Sequence, residues 1–440
     1  MSRYSTKKNI KKIVFVILAL LVLAAVGASL PPIRDRISTH LNDLEAQINY
    51  KLHPPEKFSF VPQDQVARVV QMTIQALTPS PSVRVSADPT QTLAVIQETS
   101  TPTVQPTPLP ASANLQGIRY MRQDFGTNEC APTNLAMELS YWGWPGAPQD
   151  PAPDLKPYPD DKNVMPYEMA DYVQNKTDFD AVVRWGGTPQ LLKKLVVNGY
   201  PVLIETGVVL RDMTGVMDWM GHYTVVSGYD DASHLFTVQD SYLPNGKDYR
   251  MPYDKLVGDW RSFDYVFLIV YPKDKQNDLF AVLGSYADEA SSDQIAIQIA
   301  SQEISTLSGD NLFYAWFNRG TSLVHQQDYQ DASAAYDQAY TIYATLPQDE
   351  NLPFRMTWYQ TGPYYAYYYT GRYQDVERLA TQTLKTTNQP YLEESYYWRA
   401  RAEIALGDNS DAITDLNTSL KYHAGFAPSL DILKQLGIKN

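Results

Sequence analysis

Between Ile13 and Leu30 the chain runs IVFVILALLVLAAVGASL without a single charge, flanked by Lys7, Lys8, Lys11 and Lys12 before it and Pro31-Pro32 after it. Wound as a helix these residues would extend about 27 Å, close to the hydrocarbon thickness of a bilayer. The flanking lysines are expected to stay on the cytoplasmic side. The run therefore predicts a single N-terminal transmembrane helix, residues 1–30 forming a cytoplasmic tip and anchor, with everything after Pro31 outside the cell membrane. A crowd of small residues at its end (Ala24, Ala25, Gly27, Ala28) also fits a secretory signal that is cut away. Either outcome exports the bulk of the chain.

Beyond the run, Ile33, Ile37, Leu41, Leu44 and Ile48 recur at helical spacing and predict a stalk helix from about Arg34 to Leu52. From about Thr78 to Ala113 the sequence turns to Pro, Thr and Ser, as in TPTVQPTPLPASA. Such a stretch has too little apolar surface to fold alone and reads as an extended spacer. Residues 31–113 are thus expected to tether the folded domains to the anchor.

Residues 114–272 have a mixed pattern. Helices are predicted at Cys130–Trp142, around Pro166–Gln174 and at Thr188–Asn198. The runs PVLIETGVV, HYTVVSGY, LFTVQD and DYVFLIVY, rich in Val, Ile, Tyr and Phe, read as strands. Helices followed by strands with short connections predict an α+β domain on an antiparallel sheet. Residues 273–440 read as all-helical and acidic, with 12 Lys and Arg against 21 Asp and Glu. In AWFNRGTSLVHQQDYQDASAAYDQAYTIY the spacing of Trp316, Gly320, Tyr329, Ala332, Tyr336 and Ala339 matches the tetratricopeptide pattern. Looser copies, GRYQDVERLATQTL and YYWRARAEIALGDNSDAITDLNTSL, extend it to an all-α repeat solenoid. The tyrosines of YYAYYYTGRY, with Trp358, read either as packing between helix pairs or as the lining of a groove for a protein partner.

Composition excludes several chemistries. A net charge of −13 does not suit nucleic acid, which requires surplus Lys and Arg. One cysteine permits no internal disulfide, and six scattered histidines without an HExxH cluster argue for no metal and no cofactor.

That cysteine, Cys130, opens the helix-like part of NECAPTNLAMELSYWGW. Proline is tolerated only in the first turn of a helix, so Pro132 sets the start at about Cys130. Ala131, Leu135, Leu139 and Trp142 then share a core-facing stripe. A thiol at a helix N-terminus meets unpaired N–H groups and the positive end of the macrodipole, both of which favour thiolate. A nucleophile needs a base. Of the four histidines downstream of the stalk, His325 and His423 fall in the helical repeats and His234 in a turn, leaving His222, which is expected to open the strand HYTVVSGY next to Gly221. A hairpin with Asp230-Asp231-Ala232 as its loop pairs Tyr229 with Ser233 and sets His222 directly opposite Asp240, on the same face. A one-residue slip would turn Asp240 away. Gln123, seven residues before the cysteine, could join the Cys130 N–H as an oxyanion donor; Asn128 is an alternative.

These residues together, with the fragment LLKKLVVNGYPVLIET before the histidine, resemble the bacteriocin-processing type of cysteine peptidase, family C-39, and its stand-alone relatives, over about Ile118 to Pro272. The resemblance implies a papain-like fold with Cys130 as nucleophile, His222 as general base and acid, Asp240 as its orienter and Gln123 in the oxyanion hole. Two features depart from the family. Ala131 stands where glycine often follows the cysteine, and no GxxxxGK[ST] phosphate loop or multi-span exporter accompanies the domain. Leader processing at a double glycine is therefore not carried over. The expected function is a membrane-anchored extracytoplasmic cysteine peptidase acting on a peptide or protein substrate, its repeats engaging substrate or a protein partner. A catalytically silent peptidase-like scaffold and a transglutaminase-like acyltransferase are the alternatives.

Overall fold

The computed structural model describes residues 108–438 apart from 125–127, 159 and 212–214, together with Ile48, Leu52, Lys57, Phe60 and Pro62. The apolar run Ile13–Leu30, nearly all of the stalk and most of the Pro/Thr-rich stretch lie outside them. Among the described residues no helix is long and apolar enough to cross a membrane.

A twisted sheet organises the first half. Its strands are β1 (Ser112–Asn114), β2 (Phe179–Arg184), β3 (Val202–Arg211), β4 (Met217–Asp230), β5 (Leu235–Gln239), β6 (Tyr249–Pro252) and β7 (Phe267–Pro272). They lie in the order β2-β7-β3-β4-β5-β6, with β1 on β4, and every pairing is antiparallel. The sheet is buried on both faces, which accounts for near-continuous apolar strands such as FLIVY. Against one face pack α1 (Cys130–Tyr141), the short α2 (Ala152–Leu155) and α3 (Pro166–Lys176). Against the other pack α4 (Pro189–Val197), α5 (Tyr253–Arg261) and α6 (Gln276–Leu283). The α+β reading on an antiparallel sheet agrees with this architecture. The strands β2 and β6 and helix α5 go beyond the elements expected from sequence pattern.

Two expected boundaries differ. Ser112 and Ala113, expected at the end of the spacer, join Asn114 in β1, which pairs with Gly228–Asp230. The sheet domain also continues past its expected end at Pro272, because α6 buries Leu279 and Leu283 in its core.

The remainder is helical: α7 (Glu289–Ile304), then α8 (Gly309–His325) with α9 (Tyr329–Tyr343), the single turn α10 (Met356–Tyr359), α11 (Gly362–Tyr369) with α12 (Tyr373–Lys385), α13 (Glu393–Leu406) with α14 (Asn409–Tyr422), and α15 (Ala427–Gln435). Small residues let these helices close up: a methyl at Gly320 would press on the Tyr336 ring at 2.8 Å. Tyr364 and Tyr367 of the tyrosine-rich segment are wholly buried, while Tyr365 and Tyr369 reach solvent. Packing between helices thus explains the first two. Phe60 is sealed into the same core, edge-on to Tyr340. That core also takes in Trp219 of β4 and Phe263 beside β7, so sheet domain and helical region share one apolar interior.

Candidate active site

Helix α1 starts at Cys130, where Pro132 sets it, and is buried on nearly every side: all ten residues from Ala131 to Ser140 are inaccessible. The expected single stripe understates this, because Asn134 and Glu138 are enclosed as well. Trp142 lies just past the helix and is only partly buried, its Nε1–H donating to the Val270 carbonyl at 2.7 Å. A helix so enclosed holds its first turn rigidly. Its N-cap, Glu129, is pinned by a buried ion pair with Lys156 at 2.9 Å. Burial raises the Glu129 carboxyl above its usual range and Lys156 opposes that rise. Cys130 itself remains partly accessible. Ala131, which stands where glycine often follows such a cysteine, is 2% exposed and packs into the core with Leu135 and Met169.

His222 does not open a strand. It sits within the 14-residue β4, opposite Thr206 of β3, and is 4% exposed. The hairpin register also differs from expectation. Asp230 pairs with Leu235, so the loop is the four residues 231–234, with His234 at φ 54° closing it. That loop alone would place Asp240 on the face away from His222. A β-bulge between Val226 and Gly228 adds one residue to β4 and restores the parity. With Val225 across from Gln239, Asp240 follows across from Thr224, one pair removed from His222 on the same face. The register thus ends two residues from expectation, an even shift that keeps both side chains on one face.

The side chains then meet. His222 Nε2 lies 3.1 Å from Asp240 Oδ1. The same oxygen accepts the backbone N–H groups of Tyr242 at 2.9 Å and Leu243 at 3.1 Å. The Asp240 main chain is held in turn by Gly246 and by the Tyr120 hydroxyl. Cys130 stands close enough to the same imidazole to share a hydrogen bond with it and for its thiolate to favour the imidazolium. Burial works against a charged His222, but Asp240 and then Cys130 outweigh it and push its pKa up to about 10. Burial likewise works against the Asp240 carboxylate, and the imidazolium with the two N–H donors more than compensates, so its pKa falls below the usual value. The group favours a protonated imidazole poised between a carboxylate and a thiol.

Gln123 enters from the segment before α1. Its N–H donates to the Ser241 carbonyl at 3.2 Å, and its Oε1 accepts the Ser241 hydroxyl at 2.6 Å. That hydroxyl accepts Asn134 Nδ2 at 2.8 Å, while the same Asn134 amide donates to the Cys130 carbonyl at 2.8 Å. With its carbonyl oxygen occupied, Gln123 retains its amide N–H bonds to donate. Asn128, the alternative donor, instead turns its amide onto the Asp161 carbonyl at 2.9 Å. Cys130, His222, Asp240 and Gln123 are therefore brought together, from positions as far apart as 123 and 240.

Sequence reasoning missed Ser241, Asn134 and Glu205. None of the three carries a motif, although Ser241 directly follows Asp240. Glu205 of β3 is 2% exposed and lies across from Tyr223. Burial raises its carboxyl well above the usual range, a bond to Tyr223 opposes this and Cys130 adds to it. Among the described residues, one trio could offer a metal its ligands, Glu168, Glu393 and His423, whose donor atoms lie within 4.8 Å of one another. Those groups already serve nearer partners: His423 Nδ1 meets Glu393 Oε1 at 2.9 Å, and Glu168 accepts the Met165 N–H at the start of α3.

Residues 115–267, the span that contains all four candidates, match the profile of the Peptidase_C39 like family. A crystal structure described as that of a C39-like peptidase from Bacillus anthracis is similar over 36% of this chain and 97% of its own, at 18% identity and a TM-score of 0.30. No curated protein matches the chain significantly.

Proposed function

We propose that residues 112–283 form a cysteine peptidase domain in which Cys130 is the nucleophile, His222 the general base and acid, Asp240 the orienter and Gln123 an oxyanion donor. One observation carries the reading: the only thiol of the chain stands at the N-terminus of a buried helix, against an imidazole held by a buried carboxylate. The C39-like match of the same residues supports a peptide or protein as substrate.

Attack by the Cys130 sulfur on a peptide carbonyl forms the S–C bond and places the negative charge on the carbonyl oxygen. The Cys130 N–H and the Gln123 amide would meet that charge. Collapse breaks the C–N bond, and the imidazolium of His222 gives its proton to the departing amine. Water then attacks the thioester, His222 takes the proton, and the acid is released with the thiol regenerated. Asp240 fixes the tautomer and stabilises the imidazolium, as a carboxylate partner of histidine generally does.

The reading extends to the rest of the chain. The paired helices 309–422 act as tetratricopeptide-like repeats that engage substrate or a protein partner, and Ile13–Leu30 anchors the protein with its folded part outside the cell membrane. A peptidyl electrophile directed at thiols tests the core of the proposal. Covalent labelling at Cys130 is expected, faster than in the unfolded chain and lowered roughly a hundredfold or more in His222→Ala. Labelling at the unfolded rate, indifferent to His222, would end it.

A further inference from the structure

β4 is covered unevenly. On one side β3 pairs with it from Met217 to Val226 and β1 from Gly228 to Asp230. On the other, β5 reaches only from Val225 to Asp230. Among the described residues, the stretch of β4 that carries His222 has no strand on that side, and an open edge leaves backbone N–H and C=O groups without ladder partners. The helical region fills the gap. Arg355 Nη1–H donates to the Trp219 carbonyl at 3.3 Å, and its guanidinium pairs with the buried Asp218 carboxylate at 3.5 Å. Lys57 reaches the same carboxylate at 2.6 Å. Four residues on from Arg355, the Tyr359 ring packs on Gly221, and its hydroxyl lies close enough to the Gly221 N–H for that dipole to favour the phenolate. Residues 219 and 221 point their backbone groups to the same side of an antiparallel strand, so one turn of helix, α10, serves both. Gln360 completes the latch by donating from Nε2 to the Ser262 carbonyl at 2.8 Å.

The contact is tight where it matters. A Cβ at Gly221 would lie 2.9 Å from the Tyr359 ring and 2.9 Å from Phe263, so only glycine permits this approach directly before His222. Tyr359 also meets Trp219 and Phe263 edge-on, with ring centroids 6.0 and 5.7 Å away. Its hydroxyl is near enough to Cys130 for the charge of the thiolate to oppose its ionisation, after the larger effect of burial.

We propose that the helical region builds part of the catalytic site: Tyr359 is a positioning residue that ties Gly221 down and so holds His222 in register with Cys130. This rests on the peptidase reading above. The repeats are then more than a recruiting arm, because the site is incomplete unless α10 is seated on the open edge of β4. The substitution at Tyr359 that keeps the ring, Tyr359→Phe, takes the hydroxyl away from the Gly221 N–H; Tyr359→Ala removes the packing as well.

The test uses the full chain and iodoacetamide, a small electrophile that needs no substrate site. Alkylation of Cys130 is followed as a rate, and the His222 imidazole is titrated by NMR, its signal identified by loss in His222→Ala. In Tyr359→Phe the rate is expected to fall about three- to tenfold, the range of one hydrogen bond. The His222 midpoint should move down from about 10, because part of its elevation comes from Cys130. Tyr359→Ala should show both effects more strongly. A role confined to stability would lower the melting temperature yet leave rate and midpoint at native values in the folded variant. That result in Tyr359→Phe overturns the proposal, whether or not Tyr359→Ala folds. If instead the native chain alkylates no faster than the unfolded one, the peptidase reading itself fails, so the two failures are told apart.

Discussion

Two buried charge networks, one in each half of the molecule, use similar residues to opposite ends. In the helical region Arg372 pairs with Asp337 at 2.9 Å and with Asp375 at 2.7 Å, Arg378 adds a second cation on Asp375, and the Tyr367 hydroxyl donates to Asp337. Each charge there answers another, and the network joins α9, α11 and α12. In the sheet domain His222 and Asp240 form an equally buried pair, but the imidazole also interacts with a thiol that is still accessible. A network of mutually paired charges locks helices together. One whose imidazole also meets a thiol can move a proton. Burial of charge therefore does not distinguish scaffold from site; the reactive partner does.

Asp240→Asn should break the reactive network most severely. Peptide-electrophile labelling is expected to fall roughly a hundredfold or more, the usual scale of lost acid–base catalysis. The sign of the accompanying pH effect follows from the raised His222 pKa. The folded site keeps the imidazolium from below its ordinary value of 6.5 up to about 10, so this contribution to stability is complete below 6.5 and is lost as pH rises through about 10. Without the carboxylate the midpoint should drop toward the ordinary value, which a titration of the native and variant histidine would register. Asp240 contributes oppositely: its depressed pKa favours folding above the usual carboxylate range, and that share disappears as pH falls through the depressed value.

Arg372→Ala tests the closed network. Two carboxylates deprived of this cation in the interior should cost about 3–5 kcal/mol of stability in denaturant unfolding. Cys130 in the fraction that remains folded should label at nearly the native rate. A large loss of labelling in folded Arg372→Ala would erase the distinction drawn between the two networks. The smallest effect is expected for Ser241→Ala, which frees the Gln123 carbonyl and the Asn134 amide. The loss of one hydrogen bond predicts labelling about three- to tenfold slower, with the His222 midpoint unmoved because Asp240 retains its own donors.

Much of the site is legible in residue types and short-range rules. Pro132 can occupy only the first turn of a helix, which places Cys130 at an N-terminus without any knowledge of the fold. The elimination of His234, His325 and His423 also rests on local pattern; His234 lies in a turn, His325 ends α8 and His423 follows α14 directly. The link between His222 and Asp240 is legible for a less secure reason. The expected three-residue loop and the observed four-residue loop differ by one, and the bulge at residues 226–228 supplies the compensating residue. Strand parity survives an even number of slips, so the two side chains share a face although the pairing does not match.

The contacts that escape such rules share a physical cause. Ser241 on Gln123 and on Asn134, Glu205 beside Tyr223 and Tyr359 on Gly221 join segments separated by roughly twenty to more than a hundred residues. Periodicity reports which face of an element is apolar, and capping rules report where it begins. Neither reports which polar group from a remote element will satisfy a buried N–H or carbonyl. Helix starts, strand runs and the candidate nucleophile follow from steric and hydrogen-bonding limits that act within a few residues. The bulge, the clamp on Gln123 and the seating of the helical region on the open edge of β4 follow from packing, where every buried polar group must find a partner wherever in the chain it lies.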